Sequence, residues 1–294
     1  MNNKITELSK ILDEHLYKYF ESYNDAYKEV FDSMKYSVEN GGKRVRPLLT
    51  LLFCDACGGD VLQAVPMATA VEYIHTYSLI HDDLPCMDND DFRRGKPSNH
   101  KVYGEATALL AGDGLLTAAF ERISVWCKAG LYDAEVAVNA IEELSRCAGS
   151  RGMIGGQIID LANENNPDVT IETLQLLDNL KTGALIEAAC VMGCIVAKAD
   201  SDKIDAARTF ASKIGLAFQI KDDILDVTST AEKLGKPIGS DAENGKSTYV
   251  GILGLSECQQ LVDELTDDAI KALENFTEND ALLEYANYLA KRDY

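Results

Sequence analysis

Apolar residues in this chain recur at intervals of three and four almost from end to end, and that periodicity restricts it to helices. Ile5, Leu8, Leu12, Leu16 and Phe20 set the pattern, which is the spacing of one buried helix face and not the alternation of a strand. Helices are expected at about 4–20, 24–39, 47–57, 62–84, 105–128, 133–147, 152–164, 170–198, 202–226, 248–275 and 279–292, with Gly41-Gly42 and Gly58-Gly59 as breaks. Convincing period-two strands are absent, so the class is all-α. No Ser/Gly/Pro linker divides the pattern, which points to a single domain over residues 1–294.

A net charge of −20 makes nucleic acid or an anionic membrane a poor general partner, so an anionic substrate must meet locally placed cations. The eight cysteines (54, 57, 86, 127, 147, 190, 194 and 258) lie mostly inside helical patterns. The N-terminal MNNKITELSKILDEHL is polar and amphipathic, not secretory, so reduced thiols and a cytoplasmic location are expected. Cys54 and Cys57 form a C-x-x-C without a second such pair, which argues against zinc or redox chemistry. No apolar run reaches the ~18 uninterrupted residues of a membrane span.

Chemistry concentrates between Glu72 and His100. An apolar helix delivers adjacent carboxylates, Asp82 and Asp83, to a break at Pro85, after which Asp88, Asp90 and Asp91 precede Arg93 and Arg94. Like charges at a helix end repel. A hard cation held by one or two carboxylates together with substrate phosphates, as Mg2+ is, would relieve them. Zinc is disfavoured by the carboxylate excess and the lack of a Cys/His tetrad. Taken alone, the run reads equally well as a solvated acidic turn. His75, taken alone, reads as a hydrogen-bonded structural histidine.

Other segments supply complementary groups. GGKRVRP, from Gly41 to Pro47, puts Lys43, Arg44 and Arg46 after two glycines that let the backbone approach a ligand. Alone it could be a solubilising loop. In GGQIIDL, Gln157 and Asp160 lie three apart on one helix face. Lys181, Thr182 and Gly183 interrupt an otherwise apolar helix. In FQIKDDILD, Asp222 and Asp226 are i and i+4 with Asp223 beside them and Gln219 three back, a second carboxylate cluster. The polar, glycine-rich stretch after it carries Lys233, Lys236 and Lys246 and has the character of a loop over a site. Lys291 and Arg292 sit where a solvated helix end would also put cations and are left outside the candidate site, with their role open. Two acidic clusters gripping a diphosphate through metal, with Arg93, Lys181 and Lys236 neutralising it, would serve diphosphate departure by Lewis-acid catalysis. An apolar pocket below would shelter a carbocation from water.

Together GGKRVRP, EYIHTYSLIHDDLPCMDNDDFRRGKPSNH, GGQIIDL, KTG, FQIKDDILD and LGKPIGSD resemble the trans-prenyl diphosphate synthases, particularly the bacterial-type short-chain group, over about residues 40–250. The resemblance implies homodimers of α-helical subunits with an isoprenoid synthase fold, antiparallel helices around a deep central cavity. It implies that Asp82, Asp83 and Asp88, and Asp222, Asp223 and Asp226, bind about three Mg2+ ions, with Mn2+ a possible substitute. Arg93, Lys181 and Lys236, joined by Lys246, match contacts to the allylic diphosphate. Gly42, Lys43, Arg46, His75 and Arg94 match the isopentenyl diphosphate site, and Thr182 and Gln219 match residues lining the cation. The implied reaction is head-to-tail condensation of isopentenyl diphosphate with dimethylallyl or geranyl diphosphate. The bulky Tyr77, five residues before Asp82, implies a pocket floor that stops growth at fifteen carbons, whereas the small Ser78 beside it leaves room for leakage to twenty. A terpene cyclase of the same fold has no use for the second anion site. A non-catalytic partner subunit usually lacks one aspartate motif, and a purely structural protein leaves both clusters unexplained.

Overall fold

The structure is a computed structural model that describes residues 3–21, 23–164, 166, 168–229 and 247–292. Its elements are α1 (Asn3–Leu16), α2 (Lys28–Glu39), α3 (Val45–Ala56), α4 (Val61–Asp82), a two-stranded ribbon of β1 (Phe92–Arg93) and β2 (Lys96–Pro97), α5 (Asn99–Tyr103), α6 (Glu105–Lys128), α7 (Ala134–Ala148), α8 (Met153–Asn163), α9 (Ile171–Asp178), α10 (Ala184–Val196) and α11 (Ser201–Thr228). Helices Tyr249–Leu253, Leu255–Ala272 and Asp280–Lys291 follow. The all-α expectation holds.

Helix α4 is buried without interruption from Ala64 to Ile74, as a helix apolar on every side must be. It packs against α3, α6 and α10, and α10 in turn packs on α3, α7 and α11. A smaller apolar cluster joins Leu174, Ile220, Ile224, Tyr249, Val262 and Leu265 at the other side of α11. Side-chain oxygens fix several helix starts by accepting otherwise orphaned amides. Asp60 takes the Leu62 N–H at 3.0 Å, Asp133 that of Val136 at 3.0 Å, and Asp200 that of Lys203 at 3.0 Å.

Four local features depart from the periodicity. The first expected helix ends at Leu16 and resumes as a 3-10 turn over Lys18–Glu21. Gly254, at φ +87°, splits the expected 248–275 helix. The ribbon arises because Arg94 and Gly95 both have positive φ, +53° and +76°, the backbone of a tight two-residue hairpin turn. The expected 170–198 helix is interrupted at Asn179–Gly183 by a π-turn, a wide turn that often marks functional sites. By length and composition Ile171–Val196 could cross a membrane, but 61% of its most apolar window is buried inside the protein, as a core helix requires.

Candidate active site

The first aspartate cluster forms where α4 stops. The Asp83 N–H still bonds the Leu79 carbonyl at 3.2 Å, after which the chain folds back and Asp88 N–H reaches the Asp82 carbonyl at 2.9 Å. Asn89 closes this loop in the left-handed region, φ +52°, with its N–H on Leu84 O at 3.1 Å. Asp88 is thereby brought back to the helix end that carries Asp82. Burial pushes the Asp82 carboxyl up to about 6, Asp88 adds to the rise, and Lys181 and Arg93 oppose it. Asp83 takes a different part. It is buried, and Arg93 donates to its Oδ1 from Nε at 2.9 Å and also from Nη2. Arg93 also reaches Asp90 at 3.2 Å. The ribbon thus returns an arginine to the carboxylate it follows in sequence.

Beside it lies a cationic cluster. Gly42 has φ +122°, and a Cβ there would sit 2.5 Å from the Arg94 Cζ, so only glycine leaves room for that guanidinium. Arg94 bonds the Gly41 carbonyl. Arg44, itself at φ +49°, is committed to structure through the buried Glu72 carboxylate and the Val38 carbonyl. Arg46 has a buried Nε without a hydrogen-bond partner. Its guanidinium is lowered to about 10, first by burial and then by Arg94, against the pull of Glu72. Burial, then Arg46, Arg94, Arg44 and Arg93, hold His75 well below its ordinary range, so it stays neutral. Several cations therefore converge where Glu72 is already taken by Arg44, a surplus suited to an anionic ligand.

The opposite wall is built by α8, the π-turn and α11. A Cβ on Gly156 would collide with the Lys181 amide and lie 2.6 Å from its Cα, so this glycine lets α8 touch the π-turn. One turn on, Asp160 takes the Lys181 ammonium at 2.5 Å. Thr182 lies within the same turn. Asp160, Asp178, Lys181, Gln219, Asp223 and Tyr249 line a cleft of about 180 Å³. Burial pushes Asp178 up to about 6, while Tyr249 and Gln219 beside it oppose the rise. Lys181 acts on both Asp82 and Asp178, which makes it the link between the two walls.

In the second cluster the three carboxylates have separate surroundings. Asp223 accepts the Tyr249 N–H at 2.8 Å, and Asp226 is buried. Asp222 accepts from Arg292 at 2.6 Å. That contact shows that Arg292 is not the solvated cation its place at a helix end allowed. Its side chain is fully buried, it donates to the Phe218 carbonyl at 2.8 Å, and its Cζ lies 3.4 Å from the Phe218 ring centroid. Tyr77 is buried against His81, ring centroids 5.7 Å apart, and its hydroxyl lacks a hydrogen-bond partner. Ser78 bonds its own helix at the His75 carbonyl, 2.9 Å away. Lys43 is partly buried. Lys236 and Lys246 lie outside the described residues.

The Polyprenyl synthetase family profile matches residues 27–288. The chain belongs to the polyprenyl synthetase family. Farnesyl diphosphate synthase of Bacillus subtilis is 44% identical to it and covers 100% of both chains. The chloroplastic geranylgeranyl pyrophosphate synthase of Catharanthus roseus is 46% identical over 90% of this chain and 74% of its own. A solved structure of geranyltransferase from Helicobacter pylori, complexed with magnesium and isoprenyl diphosphate, superposes with a TM-score of 0.80 at 33% identity, covering 98% of this chain and 97% of that one. This polyprenyl synthetase is a short-chain prenyltransferase.

The donor set of this polyprenyl synthetase suits Mg2+, a hard ion bound by oxygen. Asp82 is held in surroundings that disfavour its charge, and a divalent cation would remove that penalty. Among the described residues, Glu143, Cys147 and Glu187 also bring ligand atoms within 4.8 Å of one another, but Arg146 and Arg208 fill that group with ion pairs of 2.6 to 2.7 Å. It is a brace between helices. Sequence reasoning passed over Asp178, Tyr249 and Glu72. The i, i+3 spacing of Asp178 to Lys181 was the signal for the first. Glu72 is an acid in an apolar helix, which needs a buried partner.

Proposed function

We propose that this polyprenyl synthetase is a farnesyl diphosphate synthase, condensing isopentenyl diphosphate head-to-tail with dimethylallyl and then geranyl diphosphate. The observation that carries the reading is Lys181, which bonds Asp160 at 2.5 Å and lies near enough to Asp82 and Asp178 to favour the charged form of both, where it can meet a diphosphate spanning the two walls. Mg2+ held by Asp82, Asp83, Asp88, Asp222, Asp223 and Asp226, about three ions, with Mn2+ as a substitute, supplies Lewis acidity to the leaving diphosphate. Arg93, Lys181, Lys236 and Lys246 neutralise the allylic diphosphate. Gly42, Lys43, Arg46, His75 and Arg94 orient isopentenyl diphosphate so that its double bond faces the allylic carbon. Gln219 and Thr182 line the cation, and the apolar wall below excludes water. The full-length likeness to the Bacillus enzyme and the bulk of Tyr77 support a fifteen-carbon product. The similar identity to the plant enzyme supports the runner-up, a twenty-carbon product.

Product analysis with labelled isopentenyl diphosphate and dimethylallyl, geranyl or farnesyl diphosphate tests this reading. Fifteen carbons from the first two primers is the expected result, and efficient extension of farnesyl diphosphate overturns the length assignment. Tyr77→Ala is expected to shift the product toward twenty carbons or more, at a stability cost of about 3 kcal/mol for an emptied buried ring. Unchanged product lengths in a folded, active variant would remove Tyr77 from the floor.

In the metal-free protein, Arg292 covers Asp222 while its own Nε and Nη1 lack hydrogen-bond partners. Arg292→Leu is therefore expected to tighten Mn2+ binding about three-fold, on the scale of one competing ion pair. Electron paramagnetic resonance titration without substrate reads this directly, and weaker binding would make Arg292 a support instead of a competitor. The reading also includes a homodimer and a cytoplasmic, single-domain enzyme over 1–294. The uncovered apolar residues Leu109 and Leu110 on α6, and Ile154 and Ile158 on α8, support the dimer.

A further inference from the structure

Helices α3 and α10 meet almost backbone to backbone. A Cβ on Gly193 would collide with the Thr50 carbonyl and approach the Cys54 nitrogen to 3.0 Å. Cys194, the next residue, is thereby pressed against the last turn of α3. There its Sγ lies 3.8 Å from that of Cys57, the residue that caps the C-terminal end of α3. Cys54 does not pair within its own C-x-x-C. It is buried, with Sγ 3.6 Å from the Asp60 carbonyl. Cys194 is also fully buried, whereas Cys57 is only half-buried. Two thiols from distant parts of the chain are thus in contact, and one of them can be reached from solvent.

We propose that Cys57 and Cys194 are an oxidation site that closes to a reversible disulfide, joining α3 to α10, in the presence of a peroxide. The sulfurs must approach by a little under ~2 Å to reach bonding distance, a movement that side-chain rotation in two touching helices can supply. The Cys57 thiolate attacks a peroxide oxygen, the O–O bond breaks, and the departing hydroxide leaves as water after taking a proton. Cys57 is then a sulfenic acid. The Cys194 sulfur attacks that sulfur, the S–O bond breaks, and the hydroxyl leaves as a second water with the Cys194 proton. Both sulfurs are oxidised and one peroxide is reduced to two waters.

The order of the steps follows from the surroundings. The contact with Cys194 first, and Lys203 nearby, favour the charged form of Cys57 over the opposition of burial and Asp200, and thiolate character together with its access to solvent makes Cys57 the cysteine that reacts first. The cross-link would close a loop of 137 residues, long enough to restrict the unfolded chain substantially. It lies at the last turn of α3 and near the end of α10. Gly42 and Lys43 precede α3 and Arg46 sits in its first turn, at the opposite end from Cys57, and Lys181 precedes α10. The bond therefore stiffens the scaffold between the two walls without touching either.

The test is to treat the full-length, reduced protein with hydrogen peroxide and map its peptides without reduction. Expected is a loss of 2 Da carried by a Cys57–Cys194 cross-link, with a rise in Tm of about 5 °C that dithiothreitol reverses. Cys57→Ser abolishes the cross-link and Cys54→Ser leaves it intact. A cross-link between Cys54 and Cys57 overturns the proposal, and so does Cys57 oxidised to sulfinic acid beside an untouched Cys194. The mapping needs no variant, so it decides the matter even if a substitution at buried Cys194 prevents folding.

Discussion

Asp82→Asn is expected to lower kcat about a thousand-fold, equivalent to about 4 kcal/mol of transition-state stabilisation, while leaving the metal-free protein at least as stable as the parent. The two effects have one origin. Burial and the Asp88 charge raise this carboxyl to about 6, so the folded protein holds its proton more tightly than the unfolded chain does. The resulting destabilisation is absent below the unfolded value near 3.8, grows as pH rises between the two values, and is fully present above about 6. At pH 8 the neutral asparagine removes it. The metal-free variant should therefore melt at the parent temperature or a few degrees above it, and the advantage should disappear near pH 4. Asparagine cannot supply the anionic oxygen that grips a divalent ion, so diphosphate departure loses an electrostatic contribution of the size single preorganised groups provide. Kinetics at saturating Mg2+, paired with calorimetry in a chelator, check both halves. A variant that lost activity and stability together would mark Asp82 as a structural carboxylate.

The elements legible in the sequence were those whose signal lies within one or two turns. The buried stripe of α1, the caps and the class of fold are local statements, and the two aspartate clusters announce themselves because adjacent like charges are costly anywhere. Contacts that depend on the third dimension were not legible. The pairing of Lys181 with Asp160 was hidden because Asp160 lies 21 residues upstream and reaches it only where Gly156 lets two backbones touch. The π-turn that presents Lys181 has a single wide turn and leaves no period to detect. The Phe92–Pro97 ribbon is two residues deep, too short for alternation, yet it decides that Arg93 returns to Asp83. Arg292 has the sequence context of a solvated helix end, and only the docking of the last helix beside α11 buries it on Phe218. Asp82 and Asp83 are equivalent in sequence. The fold separates them, giving one to an arginine and leaving the other in surroundings that a cation would relieve.

That same division between fold and function gives Arg46 the second large expected effect. Arg46→Met should raise KM for isopentenyl diphosphate about 100-fold, or about 2.7 kcal/mol, with kcat changed far less and the substrate-free protein no less stable. Removing one charge-assisted contact to a phosphate from a partly desolvated site has this magnitude. Stability should not fall, because in the absence of substrate Arg46 is a poorly satisfied group. Its Nε is buried without a partner, burial and Arg94 both work against its charge, and the nearby Glu72 is already bonded by Arg44. Methionine keeps most of the aliphatic bulk and removes the charge, so the packing of α3 is preserved. Arg44→Met provides the contrast. It strands the buried Glu72 carboxylate, which should cost about 3 kcal/mol of stability, seen as a fall in Tm. Initial-rate kinetics with isopentenyl diphosphate varied at saturating geranyl diphosphate, together with thermal melts of both variants, separate a substrate cation from a structural one. If Arg46→Met lost stability while its KM stayed at the parent value, the roles assigned to the two arginines would be reversed.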